Sequence, residues 1–340
     1  PRQGQFGDLA HQLHRNWGPP GMDVVMSASR TMGVDVPAPA DHTCSDCQTA
    51  NGTRRGPKRG VNFPAIDPEM PQGFGRHVCA DIMHLRTRSV GGKKYALVIV
   101  DAHGRCPWVA PLARKSDAVA ALELHCQQHL SNNGTSSEHV PARAPQDPAD
   151  RGRPHTTFHS DNDSVFLAPP FRKVLDRYNC RLRTGRPNAD NDNSICERMI
   201  RNLRGKMDTM LAGSGLSRKL WVPALQWSAY LTALLPTTAL DMVSPHHFLL
   251  GAEGLAEQAH ALARAVPFGT PTYSYNHGRS NSEPKKKLGI FIGINPISLC
   301  PRMLSQSTGR IVETKDCTFA LETPFGHPYS MEHPTAYHQH

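Results

Sequence analysis

Residues 94–101 read KYALVIVD, and this run decides the fold class. An unbroken apolar stretch of that length, rich in β-branched residues and closed by an Asp, predicts a strand buried on both faces. Upstream, 76–85 predicts a first strand; downstream, 106–112 predicts a third, joined to the second through a turn at His103-Gly104. Residues 116–130 carry helical spacing. A strand at 155–160, a helix at 167–178, a short strand at 181–184 and two longer helices at 194–211 and 219–235 follow. Three meandering strands, a helix, a strand and further helices imply an α/β layer: a mixed five-stranded sheet flanked by helices.

The flanks read as smaller modules. Residues 1–50 hold a His-rich helix at 9–17, a second helix at 22–32, and then Cys44 and Cys47. Residues 51–75 are rich in Gly, Pro, Lys and Arg and predict a basic linker, which leaves 76–255 as the core. Within the core, 131–155 lacks any apolar period and reads as an exposed, mobile insertion. Short β-like segments at 272–276, 288–294 and 311–319 suit a small barrel-like region over 256–322, followed by a tail at 323–340. No internal repeat is present.

With 340 residues, the chain is long enough for one sizeable core plus smaller modules. The 29 prolines and 27 glycines assign much of the length to loops. A formal charge of +9 fits either an anionic partner, nucleic acid first, or an ordinary basic enzyme. Nine cysteines, of which only Cys44 and Cys47 form a close pair, suggest a reducing compartment and at most one metal site, not a disulfide framework. The start, PRQGQFGDLA, lacks an initiator Met and an apolar signal core and reads as part of a longer chain. The most apolar stretch, 220–235, is broken by Pro223, Gln226 and Ser228, so a soluble protein is expected.

Three carboxylates stand out by position. Asp81 lies inside the first predicted strand, Asp161 directly follows the fourth, and Glu197 opens a helix, with 35 residues between it and Asp161. Two Mg²⁺ ions about 4 Å apart can activate an attacking oxygen and stabilise a leaving one, and hard cations require carboxylate oxygens on rigid supports. On a helical wheel Ile195, Met199, Ile200, Leu203, Met207, Met210 and Leu211 share one arc, with Glu197, Arg201 and Arg204 opposite. That polar arc suits either metal beside phosphate or a solvated face with a Glu197–Arg201 ion pair at i, i+4. Asp101 and Asp163 are the nearby acids most easily confused with the trio, and strand-terminal Asp residues usually serve turns.

These residues resemble the integrase region of copia-type long-terminal-repeat retrotransposon polyproteins. TFHSDNDSVF resembles the family's "SDNGxEF" element, and GRPNADNDNSICERMIRNLRGKMDTML its "PYTPQQNGVAERxNRTLxxxxRxML" element. GGKKYALVIVDAHGRCPWVAPLARKSDA is similar to its strand, strand and helix block. LWVPALQWSAYLTALLPTTALDMVSPHHFLLG is similar to "FWxxAxxxAxYLxNRxPTxxLxxxTPxExxxG". FGTPTYSYNHG, KKKLGIFIGINP and TGRIVETKDCTF follow in family order, so the resemblance covers 9–320.

The resemblance implies a ribonuclease-H-like core with catalysis and Mg²⁺ (or Mn²⁺) ligation on Asp81, Asp161 and Glu197. It implies 3′-end processing of element DNA and then strand transfer into target DNA, without a covalent protein intermediate. It also implies double-stranded DNA as partner, a homo-oligomer on DNA, and action in the nucleus after a cytoplasmic particle stage. Arg201, Arg204, Lys58 and Arg59 are the expected DNA contacts, and Arg54, Arg55 and Lys285–Lys287 are basic runs that either bind backbone or are simply solvated. Lys285–Lys287 could also act as a nuclear-import signal.

This chain departs from the family at identifiable places. LHRNWGPP stands where the family has a form like "LHRRLGHP", so His14 matches the first His of a His-His-Cys-Cys zinc module while Pro19 occupies the second. A zinc site would then use His14, Cys44 and Cys47, with His11 or His42 as a fourth ligand; otherwise the two cysteines are free. Ser194 replaces a Gly, and Asp163 replaces the Gly of "DNG". Such changes leave two alternatives to an integrase: a catalytically silent DNA-binding remnant, and a ribonuclease-H-like nuclease that cuts without joining.

Overall fold

A computed structural model describes residues 3–37, 44–51, 73–130, 155–184, 193–276, 282, 284–295, 298 and 300–320. The expected basic linker before 73, the insertion before 155 and the tail lie outside these residues, as do His42, Arg54, Arg55, Lys58 and Arg59.

In chain order the elements are α1 (Gln3–Asn16), α2 (Met22–Thr31), α3 (Ser45–Asn51), β1 (His77–His84), β2 (Tyr95–Asp101), β3 (Pro107–Leu112), α4 (Ala118–His129), β4 (Thr156–Ser160), α5 (Ser164–Leu167), α6 (Pro169–Arg177), β5 (Cys180–Thr184), α7 (Ser194–Ser214), α8 (Trp221–Leu234), α9 (Pro245–Ala263), β6 (Pro271–Tyr275), β7 (Lys286–Ile294), β8 (Pro301–Ser305), β9 (Ile311–Glu313) and β10 (Cys317–Phe319). The chain divides into two compact units. One comprises Arg55–Leu203 with Thr232–Ala259; the other comprises Pro1–Arg54, Arg204–Leu231 and His260–His340.

The first unit holds the expected mixed five-stranded sheet, in the order β3-β2-β1-β4-β5. β1, β2 and β3 pair antiparallel, whereas β4 pairs parallel with both β1 and β5. This is the arrangement expected of a ribonuclease-H-like core. The 94–101 run behaves as its composition demands: Ala96 to Asp101 are all buried. One sheet face, carrying Val78, Ala80, Leu97, Ile99 and Phe158, packs on Leu122 and Cys126 of α4 and on Phe171, Val174 and Leu175 of α6. Burying these side chains supplies the main stabilising term, at roughly 25 cal/mol per Å² of apolar surface.

The helix expected at 167–178 is α6, and the short α5 before it is an addition to the expected elements. Asp163 caps α5 by accepting from the Val165 N–H at 3.3 Å, and Pro169 restarts the chain as the first residue of α6.

In the second unit, Trp17 is fully buried and its indole N–H donates to the Leu262 carbonyl at 3.1 Å. Gly18 adopts φ +70, which glycine takes without strain, and a Cβ there would come within 2.4 Å of Met210 Cε and displace that side chain. The sheet of this unit is antiparallel in the order β10-β6-β7-β8-β9. The segment expected at 311–319 supplies both of its edges, β9 and β10, and β8 adds a strand that the sequence reading omitted. Trp227 of α8 packs edge-on against Phe291 of β7 at 5.5 Å. Among the described residues, no helix is long and apolar enough to cross a membrane.

Candidate active site

Sheet register brings the first two carboxylates together. Ala80 of β1 and Ser160 of β4 are partners in the parallel ladder, and Asp81 and Asp161 are the next residues along each chain. Asp81, inside β1, and Asp161, just past the end of β4, therefore stand level on neighbouring backbones about 4.8 Å apart. Asp161 is oriented by a local turn in which its Oδ1 accepts from the Asp163 N–H at 3.1 Å.

The third carboxylate arrives on α7, and two buried contacts determine where that helix begins. The Asn193 side-chain amide donates to the Ala80 carbonyl at 3.0 Å, one residue before Asp81. The Cys196 thiol points to the Val98 carbonyl at 3.7 Å, and Val98 is the cross-strand partner of Asp81. The Asn193 carbonyl also accepts the Glu197 N–H at 3.1 Å, closing the first helical turn. Glu197 is thereby delivered beside Asp81, exposed to solvent.

Electrostatics register the convergence. Burial pushes the Asp81 carboxyl up to about 6, and the charges of Asp161, Glu197 and Asp163 push the same way against a hydrogen bond from the Ile82 N–H. The trio is nevertheless wider than a preformed ligand cage. Among the described residues, the groups whose donor atoms all lie within 4.8 Å of one another are His14, Cys44 and Cys47, and His77, Cys79 and His159.

The two acids open to confusion have other duties. Asp101 is buried and organises loops, accepting from the Gly75 N–H at 2.8 Å and the Gly104 N–H at 2.5 Å. Burial pushes it up to about 6 against these donors. Asp101→Ala would strand two buried N–H groups and is expected to cost about 2–4 kcal/mol in urea unfolding. Asp163 pairs with the Lys115 ammonium while capping α5. Burial opposes its ionisation, but Lys115 and the Val165 N–H prevail and hold it below the usual carboxylate range. The Gly-to-Asp departure is thus compensated locally. Ser194 likewise opens α7 in ordinary helical conformation and is absent from the residues with positive φ.

On α7 the inward arc holds as expected at Leu203, Met207, Met210 and Leu211, which are buried. Ile195, Met199 and Ile200 are half-buried, and the fully buried residue of the first turn is Cys196, which the wheel reading did not select. Arg201 is exposed and Arg204 half-buried. Lys285–Lys287 are exposed, and the Lys286 ammonium donates to Thr318 Oγ1 at 3.0 Å.

The His14, Cys44 and Cys47 cluster has the form of a metal site. His14 Nδ1 lies 2.7 Å from the Pro20 carbonyl oxygen, which can only accept, so Nδ1 carries the proton. Nε2 keeps its lone pair and faces Cys47 Sγ at 3.3 Å. Burial, then Cys44 and Asp46, push the Cys47 thiol up to about 12. His11 is not among the donors that lie within 4.8 Å of one another here. Pro19 adds no ligand, while the carbonyl of Pro20 orients one. In the other cluster, burial pushes the Cys79 thiol up to about 12, with Arg105 pulling it down and Asp101 pushing it up.

No family model matches the chain. The chain is similar to the retrovirus-related Pol polyprotein from transposon RE2 of Arabidopsis thaliana, 22% identical over 310 residues, or 90% of this chain. It is also similar to the corresponding polyprotein from transposon RE1 of the same plant, 21% identical over 310 residues, and to that from transposon TNT 1-94 of Nicotiana tabacum, 22% identical over 238 residues and 69% of this chain. The chain spans 19% of the length of the two Arabidopsis polyproteins and 16% of the tobacco one.

Proposed function

We propose that this chain is the integrase region of a retrotransposon Pol polyprotein, carrying out metal-dependent 3′-end processing and strand transfer. The observation that carries the reading is the register of Asp81 with Asp161 across β1 and β4, with Glu197 pinned beside them through Asn193 and Cys196. The donors there are all carboxylate oxygens; burial raises Asp81 first, and the repulsion from Asp161, Glu197 and Asp163 that adds to it is of the kind a divalent cation relieves. Asp81, Asp161 and Glu197 would hold Mg²⁺ or Mn²⁺, which when bound polarises the attacking and leaving oxygens of a phosphodiester.

The protein's own share is positioning. A rigid parallel strand pair holds two carboxylates, and a helix anchored at its first turn holds the third, so little reorganisation is needed as charge develops. Arg201, one turn beyond Glu197 and exposed, is suited to a DNA phosphate. In the processing step, water attacks a phosphodiester near the element end and frees a 3′-hydroxyl. In transfer, that hydroxyl attacks a target phosphodiester and displaces the target's own 3′-oxygen, so each bond broken is matched by one formed. Two element ends must be joined, which calls for a multimer on DNA in the nucleus.

The second metal in this reading is Zn²⁺ at His14, Cys44 and Cys47, a soft donor set with the imidazole already in its ligating tautomer. Zinc should raise the melting temperature of the wild-type chain by several degrees and leave His14→Ala unmoved by this site, as read by calorimetry. The catalytic reading is tested by strand joining in Mn²⁺ or Mg²⁺: Asp161→Asn should abolish it while leaving salt-sensitive DNA binding intact. Joining that survives Asp161→Asn would refute the assignment.

A further inference from the structure

We propose that His77, Cys79 and His159 form a second zinc site, a clasp between β1 and β4 immediately upstream of the paired aspartates. The three donors come from two adjacent strands. Cys79 and His159 are partners in the parallel ladder, and His77 precedes Cys79 by two residues, so all three project from one sheet face. All are buried, at 6%, 1% and 4% exposure respectively.

The geometry is close to that of a ligand set. The donor atoms lie within 4.8 Å of one another. Cys79 Sγ and His77 Nε2 are 3.8 Å apart, against about 3.6 Å for the S-to-N edge of a zinc tetrahedron built from bonds of about 2.3 and 2.1 Å. The His77 and His159 rings lie near-parallel, with centres 6.1 Å apart and planes at 21°, so modest side-chain rotation turns both toward one ion. One thiolate and two imidazoles select a borderline-soft ion such as Zn²⁺ over Mg²⁺, which keeps this site chemically separate from the all-oxygen trio. Three protein ligands leave the fourth position for a water.

The placement gives the ion a role. Asp81 follows Cys79 by two residues, and Asp161 follows His159 by two. A metal bridging the strands at that level, about 7 Å before the carboxylates, would set the spacing of the strands that carry them. It is a positioning site and does not depend on the carboxylates being catalytic.

The test measures zinc per chain, by elemental analysis after dialysis, in the full-length wild type and in Cys79→Ser, His159→Gln and Cys44→Ser/Cys47→Ser. Cys79→Ser and His159→Gln should each hold one zinc fewer than wild type, and the double variant should still hold one. Co²⁺ added to the double variant should give a thiolate charge-transfer band that disappears when Cys79→Ser is introduced as well. His159→Gln gives the same reading if Cys79→Ser does not fold by circular dichroism. Zinc content unchanged by both substitutions, or no Co²⁺ thiolate band in the double variant, would overturn the proposal.

Discussion

Asp81→Asn is expected to melt at a higher temperature than the wild-type chain at pH 7 in EDTA, and to lose strand joining by a factor of about 10³ or more. Both effects follow from one cause. The native Asp81 carboxyl binds its proton more tightly than the ordinary value of 3.8, up to about 6. Between those limits the folded chain holds a proton that the unfolded chain has released, so stability falls as pH rises through that window and stays lower above it. Partial exposure discounts the cost at neutral pH to about 1–2 kcal/mol. The amide removes that cost and the metal ligand together. Near pH 4 the two chains should melt alike, and Mg²⁺ should stabilise the wild type but not the variant. A variant less stable than wild type at pH 7 in EDTA would mean that neither burial nor the neighbouring carboxylates hold the native Asp81 carboxyl above its ordinary value.

Asn193→Ala is the second large effect. The side-chain amide is buried and donates to the Ala80 carbonyl, so its removal leaves a buried acceptor unpaired, at a cost of about 1–3 kcal/mol. It also frees the first turn of α7, and displacement of Glu197 by about 1 Å is expected to lower joining about 100-fold. Duplex binding, measured by fluorescence anisotropy at matched salt, should be unchanged, because Asn193 is buried away from solvent. Lost binding would give Asn193 a role in contacting DNA; unchanged joining would remove it from the positioning of Glu197.

The sheet was readable in the sequence because its strands state their burial in composition. KYALVIVD can satisfy an unbroken apolar run only between two covered faces, and 76–85, 106–112 and 155–160 contain their strands within a residue or so at most ends. Elements whose signal is weak or shared went unread. α3 begins directly at the Cys pair with a polar sequence, and α9 runs through Gly251 at φ +62, where helical spacing is interrupted. β8 opens with proline.

The carboxylates could be proposed from position and resemblance, but their juxtaposition depends on register, which no local pattern encodes. Asn193, Cys196 and the His77, Cys79 and His159 cluster went unselected for the same reason. Each matters through a partner distant in sequence, as Asn193 does through Ala80. The signal available was period-two spacing: His77, Cys79 and Asp81 alternate along one strand face, and His159 and Asp161 repeat the pattern on the other. The loop duty of Asp101 was foreseeable from its place at a strand end. The compensation of Asp163 by Lys115 required the fold.

Whether Asp81, Asp161 and Glu197 form one polynucleotidyl-transfer site is tested by a branched oligonucleotide that mimics an integration product. Purified chain is incubated with it in Mn²⁺ or Mg²⁺, with Glu197→Gln as control. Release of a resealed target strand by wild type, and its loss in the variant, is the predicted result. Intact DNA binding with no product would contradict the account in favour of a silent remnant, and cutting without resealing would contradict it in favour of a nuclease.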